Sequence, residues 1–185
     1  MAMKNPTKTY RLALIGVMTA ILCILGPLSI PLPFSPVPLS LTNFAILLAV
    51  FLLGWKWSTV SCGIYLLLGL VGVPVFSGFS GGMAKLLGPT GGYLVGFLLL
   101  AVISGLFVEK FEQARLPVAA GMALGMLVDY LFGTLWLAIL MKLSFGQALM
   151  MGVVPYLAGD AVKLIIALLL GSALRRRLQA LRILV

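Results

Sequence analysis

Three long stretches of this chain carry no charged side chain: residues 12–55, 57–84 and 86–108. No other feature limits the possible folds so strongly. A soluble domain must cover its surface with polar groups, and average soluble chains carry about 25% charged residues. Here only 9% of 185 residues are charged and 62% are hydrophobic, with a mean hydropathy of +1.20. The pattern implies a single integral membrane domain over residues 1–185.

A membrane-spanning helix takes about 20 apolar residues, with a range of roughly 17–25. On that measure the chain reads as an all-α membrane protein of six transmembrane helices, at about 12–28, 41–55, 57–76, 91–108, 117–140 and 155–174. Lys4, Lys8 and Arg11 precede the first apolar run in the manner of a signal peptide. No small-x-small cleavage site follows, so the run is read as a retained first helix.

Six spans sort the cations. Lys4, Lys8, Arg11, Lys56, Lys110, Arg115, Arg175, Arg176, Arg177 and Arg182 fall on one side, Lys85 and Lys142 on the other, and Lys163 inside the last helix. The positive-inside rule then makes both termini cytoplasmic. The net charge of +9 is accounted for by these anchors, and no nucleic-acid partner is expected.

Absences restrict the chemistry. There is no histidine, and the acids number four: Glu109, Glu112, Asp129 and Asp160. Cys23 and Cys62 lie in apolar runs and read as packing residues, too few for a cysteine metal site. No metal site is expected. The chain lacks a G-x-x-x-x-G-K-[ST] phosphate loop and the H-E-x-x-H signature. It does not divide into two inverted halves, the usual build of a self-sufficient secondary transporter. A binding subunit driven by partners fits this set.

Two connections on the non-cytoplasmic side are unusual. Residues 29–40 contain Pro31, Pro33, Pro36 and Pro38, which forbid a helix and favour a stiff extended segment. Residues 74–93 are apolar and rich in glycine, including Gly81 and Gly82. Irregular backbone near membrane depth needs protein or a water-filled cavity around it. The pair reads either as lids over an outward-facing pocket or as packed connectors.

Asp160 and Lys163 stand at i and i+3 near the outer end of the last helix, on one face. Ionisable groups in a span cost roughly 2.5–3.5 kcal/mol each on insertion scales and face a partner or a cavity. They read as a self-satisfied ion pair or as a polar site for a small ligand. Asp129, in the middle of the fifth span, has three readings: the same site, a pair with Lys142, or a bond to Tyr130. Asn43 lies beside the first connection, Ser77, Ser80 and Thr90 supply hydroxyls in the second, and Tyr65 and Tyr93 offer aromatic walls. On the first helix Ala13, Gly16 and Ala20 form a stripe of small residues, suited to internal packing or to docking another helix.

Several stretches together resemble the BioY family of biotin transporters, the substrate-binding S components of energy-coupling factor transporters. They are Pro36-Val-Pro-Leu-Ser-Leu-Thr42, Gly69-Leu-Val-Gly-Val-Pro-Val-Phe76, Gly81-Gly82, Leu86-Leu-Gly-Pro-Thr-Gly-Gly-Tyr93 with Gly96-Phe97, Gly133-Thr-Leu-Trp-Leu137 and Gly159-Asp-Ala-Val-Lys163. The resemblance implies the six-helix S-component fold in a bacterial cell membrane, with biotin bound near the outer face. It implies that Asp160 accepts the ureido N–H groups, that Lys163 contacts the ligand's polar oxygens, and that Gly81 and Gly82 line the ring pocket. Ser77, Asn43 and Tyr93 complete the expected contact set. The family's docking stripe for a transmembrane coupling protein would map to Ala13, Gly16 and Ala20, and two ATPase subunits would drive import. No cofactor and no catalysis are expected. An S component for another vitamin, an intramembrane enzyme using Asp129 and Asp160, and a structural scaffold are the competing readings.

Overall fold

The computed structural model describes residues 8–111 and 114–180. Lys4 and Arg182, used in sorting the cations, and Glu112 lie outside the described residues. In chain order the elements are α1 (Lys8–Leu25), β1 (Ser29–Leu32), β2 (Ser35–Ser40), α2 (Thr42–Leu70), α3 (Met83–Leu87), α4 (Gly91–Lys110), α5 (Arg115–Met141), α6 (Phe145–Gly152) and α7 (Leu157–Ala180), with a 3-10 turn at Val154–Tyr156 before α7. Among the described residues four stretches are long and apolar enough to cross a membrane: α2, α4, α5 and the run Phe145–Ala180. A shorter apolar helix occupies Thr9–Leu25.

The chain is therefore mostly helical, but the all-α expectation needs correcting. The proline-rich connection is an antiparallel hairpin, pairing Ser29 with Ser40, Ile30 with Leu39 and Leu32 with Ser35. No proline occupies a paired position. Pro31 falls where the register shifts between Ile30 and Leu32, and Pro33 sits in the turn. A residue without an N–H is tolerated in a sheet only at such places.

Within α2 the backbone breaks at Gly54, whose φ of 72° and ψ of −177° are not helical. In a straight helix Thr42 and Tyr65 would stand about 35 Å apart, at 1.5 Å per residue. Instead both reach Gly26. The Ser40 hydroxyl lies 3.3 Å from the Gly26 carbonyl and 2.6 Å from Thr42 Oγ1, and Tyr65 Oη is 2.7 Å from where a Gly26 Cβ would stand. Residues 42–53 and 55–70 thus double back as two helical arms. The break expected near Lys56 sits at Gly54, and the second arm ends at Leu70 rather than at residue 76.

Glu109 on α4 explains the position of the break. Its Oε1 accepts the Trp55 N–H at 3.0 Å, satisfying a donor at the start of the second arm, and a Cβ on Gly54 would lie 2.1 Å from that same oxygen. Losing this cap in Glu109→Ala is expected to lower stability by about 1 kcal/mol. Gly54→Ala should lose more, because an L residue at that φ costs ~1–2 kcal/mol before the clash with Glu109 is counted. Thermal unfolding in detergent reads both, and unchanged midpoints would contradict this role for Glu109.

Helices α4 and α5 approach closely through small residues. A Cβ on Gly92 would meet the Trp136 side chain at 2.3 Å, one on Gly133 the Tyr93 ring at 2.2 Å, and one on Gly96 the Asp129 carboxylate at 2.3 Å. Helix α6 was not among the expected spans. Ser144 and Gln147 start it with a capping box: Ser144 Oγ accepts the Gln147 N–H and Gln147 Oε1 accepts the Ser144 N–H. The bundle has two distinct ends. One holds the bend at Gly54, Glu109, and Arg175, whose Nη1 donates to the Phe51 carbonyl at 2.9 Å. The hairpin, α6 and the start of α7 gather at the other.

Candidate functional site

Under the hairpin, Asp160 and Lys163 occupy the first two turns of α7 and face the same way. The ammonium sits 2.8 Å from Asp160 Oδ1, with both side chains largely buried. Lys163 Nζ also donates to the Ser40 carbonyl on β2 and approaches Asn43 Oδ1 at 3.5 Å. The Tyr130 hydroxyl on α5 donates to Asp160 Oδ2. Each carboxylate oxygen is therefore held by a different helix's donor, and Lys163 ties α7 to the hairpin and to the start of α2.

These groups open onto a cavity with an apolar and aromatic wall. Val37, Pro38 and Leu39 cover it from the hairpin, Tyr93 and Phe97 come from α4, and Tyr156 from the 3-10 turn, with Asp129 completing the wall from α5. The cover is fastened at several points. Ser35 Oγ donates to the Met151 carbonyl at 2.8 Å, and the Tyr156 hydroxyl lies within reach of both Ser35 Oγ and the Val37 carbonyl. Tyr93 donates to the Gly152 carbonyl at 3.1 Å, so α6 braces the same wall. A few convergent polar groups inside an apolar shell are the arrangement that small-molecule sites share, with hydrogen bonds fixing orientation and burial supplying affinity.

The sequence profile of the BioY family matches residues 2–180. The chain belongs to the BioY family. It is 38% identical over 161 residues to the biotin transporter BioY of Thermotoga maritima, spanning 87% of this chain and 93% of that one. It is 36% identical over 168 residues to the probable biotin transporter BioY of Pyrococcus horikoshii, spanning 91% and 98%. Its fold is similar to a crystal structure of the S-component for biotin from an ECF-type ABC transporter, with a TM-score of 0.86, 35% identity and 95% of each chain covered. BioY-family proteins are transporter components, which sets aside the reading of this chain as an intramembrane enzyme.

This BioY-family chain brings together Asp160, Lys163, Asn43 and Tyr93 in one pocket wall. Ser77, Gly81 and Gly82 are not among the lining residues. Their loop folds back on the end of α2 instead: Gly82 donates its N–H to the Gly69 carbonyl at 2.7 Å, and a Cβ on Gly81 would lie 2.4 Å from the Val73 carbonyl. Ser80 Oγ closes the loop on the Ser77 carbonyl at 2.8 Å. Lys85, on α3 beside this loop, is half-buried, and burial holds its ammonium below the usual lysine range. Of the three arrangements read for Asp129, the structure has it on the pocket wall, while the Tyr130 hydroxyl goes to Asp160.

On α1 the stripe of Ala13, Gly16 and Ala20 is exposed, whereas Ile15, Met18, Thr19 and Leu22 are buried against the bundle. Thr19 Oγ1 meets Ser61 Oγ at 2.9 Å on that inner face, and nothing lies within 4 Å of a Gly16 Cβ. The small residues therefore do not pack this chain's own helices together.

Several wall residues were missed. Phe97 follows Tyr93 by four positions and Tyr156 precedes Asp160 by four, a helical spacing that would have found both. The Ser40 carbonyl and the cover from Val37 to Leu39 have no such signal, because they depend on the hairpin's register.

Proposed function

We propose that this chain is the biotin-binding S component of an energy-coupling factor uptake transporter. It captures biotin from outside and passes it inward when partner subunits, a transmembrane coupling protein and two ATPases, drive the cycle. The observation that carries this is the largely buried Asp160–Lys163 pair beside Asn43, set in a pocket lined mostly by apolar and aromatic side chains.

A cyclic urea fits such a site. It is neutral, donates through N–H groups and accepts through its carbonyl. Asp160 offers a carboxylate acceptor, Lys163 and Asn43 offer donors, and Tyr93, Phe97 and Tyr156 cover the ring faces. Recognition of this kind needs no proton shuttle, and the chain has no histidine to supply one.

The proposal includes six spans, with the two arms of α2 counted separately, and both termini on the cytoplasmic side of the cell membrane. Arg175, and the Trp55–Glu109 contact beside Lys56 and Lys110, lie at the end of the bundle away from the pocket. Cations favour the cytoplasmic side, so the pocket opens outward. The exposed stripe of Ala13, Gly16 and Ala20 is assigned to docking the coupling protein, since small residues allow close helix approach within lipid.

Equilibrium titration of the purified protein with labelled biotin tests the substrate. Saturable binding displaced by unlabelled biotin, and not by thiamine or riboflavin, is expected. Displacement by one of those vitamins in place of biotin would overturn the assignment.

A further inference from the structure

Asp129 carries a buried carboxylate oxygen that the fold leaves unpaired. It lies in the middle of α5 and is 4% exposed, and its Oδ1 has no hydrogen-bond partner. Buried polar atoms are nearly always paired, so an unpaired carboxylate oxygen calls for an explanation. The same side chain is part of the wall of the pocket that holds Asp160 and Lys163. Room for it is made by Gly96 on α4, the residue just before Phe97 in the aromatic wall.

Asp160 is already engaged at both oxygens, Oδ1 by Lys163 and Oδ2 by Tyr130. A carboxylate accepts more than two hydrogen bonds, so Asp160 can still take a ligand donor. The two N–H bonds of a five-membered cyclic urea point away from each other on either side of the carbonyl. One carboxylate therefore cannot take both. Acceptors on two different helices can, and Asp129 on α5 and Asp160 on α7 both line the pocket.

We infer that Asp129 is a second recognition residue of this pocket, accepting one ring N–H of the ligand while Asp160 accepts the other. The inference rests on the biotin reading above. The terminal torsion of an aspartate is soft and two-fold, so either oxygen turns toward the ligand without leaving its rotamer. With the ligand bound, the unpaired oxygen gains its partner and the second N–H is not left buried without an acceptor.

The test uses two biotin analogues in which one or the other ring N–H is replaced by oxygen, giving cyclic carbamates of nearly unchanged shape. The full-length protein in detergent should prefer biotin over both. In Asp129→Asn the carboxamide can donate to the ring oxygen, so the preference over one analogue should shrink by roughly tenfold or more, with the preference over the other retained. Asp160→Asn should act on the opposite analogue. Each reading is a ratio within one protein, so a loss of stability does not move it, and Asp129→Ser gives the same ratio should the Asn variant fail to fold. Unchanged preferences for both analogues in the Asp129 variants would overturn this inference alone. Absence of biotin binding by the unaltered protein would overturn the functional reading and this inference with it.

Discussion

Asp160→Ala should weaken biotin binding by about 100-fold or more, equivalent to ~3 kcal/mol. Two losses add. The ligand loses a charged acceptor inside an apolar pocket, where a charge-assisted hydrogen bond is worth about 1.5–3 kcal/mol. The Lys163 ammonium, 2.8 Å from the deleted carboxylate, is left buried beside only the Ser40 carbonyl and the more distant Asn43. The Tyr130 hydroxyl loses its acceptor as well. Asp160→Asn keeps the shape and one carbonyl oxygen, so it should fall between the wild type and the Ala variant. Isothermal titration of the three proteins reads the order directly. Equal affinities would contradict the placement of Asp160 at the centre of the site.

The second large effect lies on α1, far from the ligand. Replacing Gly16 and Ala20 together by Leu should leave biotin binding unchanged, because both positions are exposed and nothing lies within 4 Å of a Gly16 Cβ. The added bulk should hold a docked helix away, since close approach in lipid depends on small residues. Recovery of the coupling protein with the tagged variant, and biotin uptake by cells, should each drop by roughly tenfold or more. Intact uptake with intact binding would contradict the docking assignment. Loss of binding along with uptake would show that the outer face of α1 serves the pocket instead.

How much could be read in advance followed the strength of the local signal. An ion pair inside an apolar helix stands out at i and i+3, so Asp160 and Lys163 were legible. Long uncharged runs marked the apolar helices for the same reason. The bend at Gly54 was displaced to Lys56 because a charge is easier to read than a backbone angle, and its capping carboxylate, Glu109, comes from α4. The hairpin was hidden by its own prolines: each forbids a ladder donor, and only the register shows that none is needed at a paired position. Glycines at Gly81 and Gly82 implied close approach of something to the backbone. That partner is the chain's own Gly69 and Val73 carbonyls, which no local pattern announces. The Ser144–Gln147 capping box is a local signal for the start of α6, an eight-residue helix shorter than a membrane span.

Native mass spectrometry of the protein, purified from cells grown with biotin and released gently from detergent, tests the central claim most directly. One bound biotin per chain is expected, lost or strongly reduced in Asp160→Ala. A chain carrying a different small molecule in that stoichiometry, or a biotin adduct indifferent to Asp160, would contradict it.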